Sequence, residues 1–373
     1  MQNRQTMQIG LRLKAAREHA RMTQQDLAAR LGFEHRQTLA SVEAGERRLT
    51  AEELVRIISL LRVDLDYFTD SFRLVGEGRF SFRAAGVTAG VLDQFENQAG
   101  CWIATYRELR AQQGEEPRWL DNKLALTPRS SFEEAQSAAE AVVTRWQLGE
   151  RPAEVLHSAI EHQLDALVLY VDAPSGISGA ASQVPGVNAV LVNRRESEGR
   201  RSFDLAHELF HLLTWDVMPP DRVEAVDVPR GGKAKRVEQL AENFAGALLM
   251  PGDVMRPRWD TRDSSTDMHD WLNRTAEDMR VTALAAKWRL HVLGCLSKAD
   301  LLDINDKRLV ANGRPTGAAP HIPAFSKPFM ERIATALDAG RLSVKRAAAL
   351  LAVSPGELAA LLREHGFEPS FDT

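Results

Sequence analysis

The sequence predicts an α+β protein, mainly helical with a small β-sheet. Three observations carry this. Apolar residues recur at helical spacing through most of the 373 residues. Two short β-branched runs, Ala166-Leu167-Val168-Leu169-Tyr170-Val171 and Ala189-Val190-Leu191-Val192, flank a Gly/Ser/Pro-rich stretch and read as strands of one sheet. Two apolar helical runs then follow, one carrying His207-Glu208-Leu209-Phe210-His211 and the other Glu238.

Composition bounds the rest. With 44% apolar and 26% charged residues and a net charge of -4, the chain is an ordinary globular protein, with length for two or three domains. That balance excludes a globally basic nucleic-acid coat, so any DNA contact must come from a local patch. Two distant cysteines, Cys101 and Cys295, exclude a disulfide framework and fit a reducing compartment. The start of the chain has no apolar leader, and no run reaches membrane-spanning length. A cytoplasmic protein without membrane contact is therefore expected.

In chain order, residues 1–70 give five short amphipathic helices. Thr23-Gln24-Gln25-Asp26 is a capping box opening the second, which stops at Gly32. The third runs from about Arg36 to Ala44 and the fourth from Ala51 to Leu61. Short helices with a Gly at the turn suit a helix-turn-helix. Residues 1–50 hold nine Arg/Lys against five Asp/Glu, a local excess of four positive charges. Residues 71–150 form a helical connector, entered by a turn-rich Phe80-Ser81-Phe82-Arg83 and containing a long helix over Leu92–Leu109, with Trp102, Tyr106 and Trp146 as core aromatics. Residues 151–310 carry the sheet and the His/Glu helices. Residues 311–328, with four prolines and two glycines, read as a linker, and 329–373 as a C-terminal helical hairpin serving protein contact or dimerisation.

The chemistry lies in 203–251. Two histidines four apart share a helix face, so both imidazoles can bind one Zn²⁺, with Glu208 between them to handle a metal-bound water. A catalytic zinc needs a third protein ligand and an open position. Glu238 lies 27 residues beyond His211 on the first turn of the next apolar helix, whose stripe of Leu240, Phe244, Ala247 and Leu248 packs it against the first. Glu238 is the expected third ligand. Asp204, one turn before His207, is expected to face solvent.

HELFH followed by E-x-x-A-x-x-F-A-x-x-L-L-M-P resembles the ImmA/IrrE family of bacterial zinc metallopeptidases, whose third ligand is the first Glu of that second motif. Leu191-Val192-Asn193 and Gly199-Arg200-Arg201-Ser202-Phe203 resemble that family's lead-in to the metal helix. One departure is Glu242, where the family often has Asn. At the other end, Thr23-Gln24-x-x-Leu27-Ala28-x-x-Leu31-Gly32 with Ser41, Glu43 and Gly45 resembles the Cro/repressor-type (XRE) helix-turn-helix family over about sixty residues, with a turn at Phe33–Thr38 about one residue longer than usual.

The resemblance implies a zincin-like domain holding one Zn²⁺ per chain at His207, His211 and Glu238, with Glu208 as catalytic base. It also implies a reader of double-stranded DNA. There Arg36, Gln37, Thr38 and Ser41 meet base edges, and Gln24, Arg47 and Arg48 meet phosphates. The function expected is a transcription regulator whose peptidase half cleaves a repressor, a partner or the chain itself, when a stress-like signal arrives. A homodimer is expected because such readers commonly bind paired half-sites. The alternative is a DNA-binding repressor whose zinc domain is a non-catalytic sensor or scaffold.

Overall fold

The computed structural model describes residues 2–115, 123–225, 232–310 and 322–371. Helices α1 (Gln2–His19), α2 (Gln24–Leu31), α3 (Arg36–Glu43), α4 (Ala51–Leu61) and α5 (Leu65–Thr69) form the first unit. The capping box at Thr23 is present, Asp26 completing it, and a second opens α4 at Thr50 and Glu53. Gly32 ends α2 with φ 77°, the left-handed value that a side chain resists. Leu13, Leu27, Leu31, Leu39, Val42, Ile57 and Phe68 meet in a core of their own.

The remaining elements build one sheet covered on both faces. The strands are β1 (Arg79–Ala84), β2 (Leu167–Val171), β3 (Ile177–Val184), β4 (Val187–Asn193) and β5 (Val223–Ala225), in the order β2-β4-β3-β1-β5. Pairs β2/β4 and β1/β5 are parallel, while β3 runs antiparallel to β4 and β1. The helices are α6 (Ala89–Gln112), α7 (Phe132–Trp146), α8 (Pro152–Leu164), α9 (Glu198–Thr214), α10 (Gly232–Leu249), α11 (Gly252–Asp260), α12 (Met268–Met279), α13 (Ala283–Val292), α14 (Lys298–Asp303), α15 (Lys327–Asp338), α16 (Val344–Leu351) and α17 (Pro355–Glu364). Alternate strand residues separate two cores. Val168, Ala181, Val190 and Val192 join α7–α10, whereas Phe82, Leu169, Ala180 and Leu191 join α6 and α15–α17. A sheet buried on both faces needs near-continuous apolar strands, which is why 166–171 and 189–192 are legible in the sequence.

Three expectations are corrected here. Phe80-Ser81-Phe82-Arg83 is strand β1, paired to both β3 and β5, rather than a turn-rich entry. Residues 177–181, read as part of a turn, lie in β3. The small side chains at 178–181 weaken the strand signal, and the missing side chain at Gly179 leaves room for α9. The C-terminal helices cover the chain's own sheet: Phe329, Met330, Ile333, Leu351, Leu358 and Leu362 are buried against α6 and the strands, so their apolar faces are not available as a dimerisation hairpin. Residues 311–321 of the expected linker lie outside the described residues, and Lys327 and Pro328 already begin α15.

A buried carboxylate ties the first unit to helix α6. Glu77 accepts from Arg12 Nε of α1 at 3.3 Å and from Arg107 of α6 at 2.7 Å, all three side chains being almost fully buried. Arg12 also donates to the carbonyls of Tyr67, Asp70 and Arg73, fixing the path out of α5.

A candidate metal centre and a helix-turn-helix

Helix α9 lies across β3 and β4 and packs against α10, with the rings of Phe210 and Phe244 5.5 Å apart. This pairing brings the three expected ligands together. His207 Nε2 is 3.1 Å from His211 Nε2 and 3.4 Å from Glu238 Oε2. The three ligand atoms lie within 4.8 Å of one another, and no other such His/Cys/Asp/Glu group occurs among the described residues. A tetrahedral ion with ligands near 2.0–2.1 Å sets them about 3.4 Å apart, so the two distances from His207 and the His/His/Glu donor set fit zinc.

Glu208 points from the same helix toward the sheet. A Cβ at Gly179 would stand 3.2 Å from Glu208 Oε1 and 3.3 Å from the Leu191 carbonyl oxygen. Glycine at this point in β3 therefore makes the space in which the carboxylate sits. His207, Glu208 and His211 are all buried, each at 1% exposure or less, while Glu238 is partly open.

Asp204 does not face solvent, contrary to expectation. It is fully buried, accepting from Arg200 Nε at 3.2 Å and facing Arg83 NH1 at 3.5 Å. Arg83, from β1, is a residue the sequence reading missed; the alternation of Phe80, Phe82 and Ala84 around it is the signal for a strand there. Asn193 donates to the Ile177 carbonyl, and Arg201 to the carbonyls of Arg194 and Glu196. Both are thus committed to holding the β4–α9 turn. Burial pushes the Arg201 guanidinium below its ordinary pKa, and likewise that of Arg289, which binds the Met250 carbonyl and Glu140 behind α10.

One helical turn from His207 and Glu238, a groove of about 660 Å³ opens, bounded by Phe203, Glu242, Arg83 and Arg200. Its outer wall is a ladder on α13, Leu284, Trp288 and Val292, each more than two-fifths exposed. The strands beneath α9 are interior; the sheet's edges among the described residues are β2 and β5.

In the first unit, α3 turns Leu39 and Val42 inward. Arg36 and Gln37 are left exposed on its first turn, with Thr38 and Ser41 half-buried beside them. Arg48 is exposed. Gln24 and Arg47 are engaged within the chain. Gln24 donates to Glu43 at 2.8 Å, and Arg47 makes a two-pronged pair with Glu53 at 2.8 and 3.1 Å beside the Phe33 ring. Glu43 is buried and held by Arg17 at 2.6 and 3.0 Å. Its role is to lock α1 to α3.

Fold and site together define a class: a helix-turn-helix unit joined to a metallopeptidase-like domain. Residues 13–68 match the helix-turn-helix family model, and residues 162–291 match the model of the IrrE N-terminal-like domain. The chain therefore carries an XRE-type helix-turn-helix domain and an ImmA/IrrE-like domain, as the two resemblances imply. Strand β1 and helix α7 lie ahead of the second match. No curated protein matches the chain. A solved structure of a bacterial peptide pheromone/receptor complex aligns over 96% of this chain and 93% of its own, at 10% identity and a TM-score of 0.16.

Proposed function

We propose that the chain is a DNA-binding transcription regulator whose second domain is a zinc-dependent peptidase acting on a repressor, either a partner or the chain itself. The observation that carries this is the convergence of His207, His211 and Glu238 with Glu208 retained beside them, since a purely structural zinc site needs no base. Zinc held by His207, His211 and Glu238 would supply Lewis acidity to the attacking water and the scissile carbonyl. Glu208 takes the proton of that water and passes it to the leaving amine. Asp204 holds Arg83 and Arg200 at the groove's edge, where they can bind substrate carbonyls, and the Leu284–Trp288–Val292 ladder takes an apolar side chain of an extended peptide.

A second reading, a repressor with a non-catalytic zinc scaffold, is favoured by the near-complete burial of both imidazoles and Glu208. One experiment separates the two. Purified protein, loaded with zinc or stripped by a chelator, is mapped by mass spectrometry for new amino termini in itself and in an added repressor. Cleavage that stops on chelation and returns with zinc is expected. Zinc binding without new termini in any condition, with or without DNA, means the scaffold.

For the DNA half, Arg36→Ala is expected to weaken binding to an operator selected in vitro by about 1–3 kcal/mol while changing affinity for random DNA little. Arg48→Ala is expected to weaken both alike and to lower the salt dependence by about one ion. Equal losses for the two variants would reverse these roles. The protein is proposed to act as a homodimer on paired half-sites in the cytoplasm. Cys101 and Cys295 are not in a disulfide, and no helix among the described residues is long and apolar enough to cross a membrane.

A further inference from the structure

On the sheet face away from α9 lies a second, open-mouthed cavity, of about 730 Å³, bordered by α6, α16, α17 and the segments that follow β2 and β4. This is the size that holds a small organic molecule. It sits at the carboxyl ends of two parallel neighbours, where open sheets with helices on both faces commonly take ligands. None of the residues proposed for zinc or DNA lines it. We propose that it binds a small aromatic carboxylate.

Its walls say why the occupant is aromatic. Phe95, Trp102 and Phe325 stand in sequence around the cavity, the rings of Phe95 and Trp102 6.2 Å apart and those of Trp102 and Phe325 5.3 Å apart, both edge-on. Val171, Leu351 and Val353 complete an apolar slot that suits a flat ring.

Its polar groups say why the occupant accepts hydrogen bonds and carries negative charge. The indole N–H of Trp102, a residue 94% buried, has no acceptor, and neither has the buried Nε–H of Arg194. A buried donor without a partner costs about 1–3 kcal/mol, which an acceptor in the cavity removes. Arg194 and Arg195 line the same end and share the one Asp172 carboxylate, at 2.7 and 2.9 Å, while Arg194 also donates to the Ile322 carbonyl. Two guanidinium groups on one carboxylate leave a surplus positive charge there. Glu357 and Glu364 stand on α17, opposite in charge to the arginine end. A carboxylate is therefore directed to Arg194 and Trp102, with its ring between the aromatic side chains.

The test uses the full chain and three probes sharing one ring: 2-naphthoate, 2-naphthylmethanol and 2-naphthylmethylamine, titrated by calorimetry. Naphthoate is expected to bind saturably below about 1 mM, and the alcohol and amine about tenfold or more weakly. Ala360 is exposed on the cavity wall, so Ala360→Trp fills the space without disturbing a core, and it is expected to abolish naphthoate binding while the melting midpoint stays unchanged. Trp102→Phe keeps an aromatic side chain, smaller than indole, and removes the donor, and is expected to weaken binding about tenfold. An amine that binds as tightly as the acid, undiminished binding to Ala360→Trp, or no saturable binding below about 1 mM overturns the proposal.

Discussion

Glu208→Gln is expected to leave zinc content at the parent level while lowering peptide cleavage about 10²–10⁴-fold, the share a positioned proton carrier supplies. The amide is nearly isosteric with the carboxylate and fits the space beside Gly179, so the helix and the three ligands stay in place. Loss of proton uptake is then the change that matters. Metal analysis and product mapping on the same sample read the two quantities independently. Cleavage at the parent rate in this variant would remove Glu208 from the reaction, and loss of zinc would instead show that it supports the ligands.

The largest stability effect is expected at Glu77. Replacing it by Ala leaves Arg107 buried with no carboxylate; the Nε and second terminal nitrogen of Arg107 already have no acceptor. Arg12, whose pKa burial lowers, keeps its three carbonyl partners and suffers less. Breaking a buried pair from one side costs about 3–5 kcal/mol, which corresponds to a fall of about 10 °C in the melting midpoint. Arg107→Met added to Glu77→Ala removes the stranded charge and is expected to recover more than half of that fall. A midpoint within about 2 °C of the parent in the single variant would mean that water reaches the site and the carboxylate is not what joins the two units.

What was legible in the sequence is what repeats locally. The i, i+4 histidines, the apolar stripe of α10 and the capping box at Thr23 are short-range patterns found as expected, although α10 starts at Gly232 and so carries Glu238 on its second turn, not its first. The misses are long-range. Arg83 reaches Asp204 only because β1 enters a sheet whose other strands lie roughly 90 or more residues away. Strand β3 is hidden because Ser178, Gly179, Ala180 and Ala181 are small, and at Gly179 a side chain would crowd Glu208 of α9. Gln24 and Arg47, expected at phosphates, each also hold an internal carboxylate, Glu43 and Glu53, which leaves that expectation standing. Residue type alone does not reveal a partner brought in from another helix.

The packing of α15–α17 bears on how self-cleavage would look. Phe329, Met330, Ile333, Leu351, Leu358 and Leu362 sit in one core with α6 and the strands, and each contributes about 1.5–3 kcal/mol by leaving water. A cut anywhere between Val310 and Ile322 would therefore break the chain without separating it. The two fragments would travel as one particle and come apart only in denaturant, so such processing would be silent in any assay that reads size under native conditions.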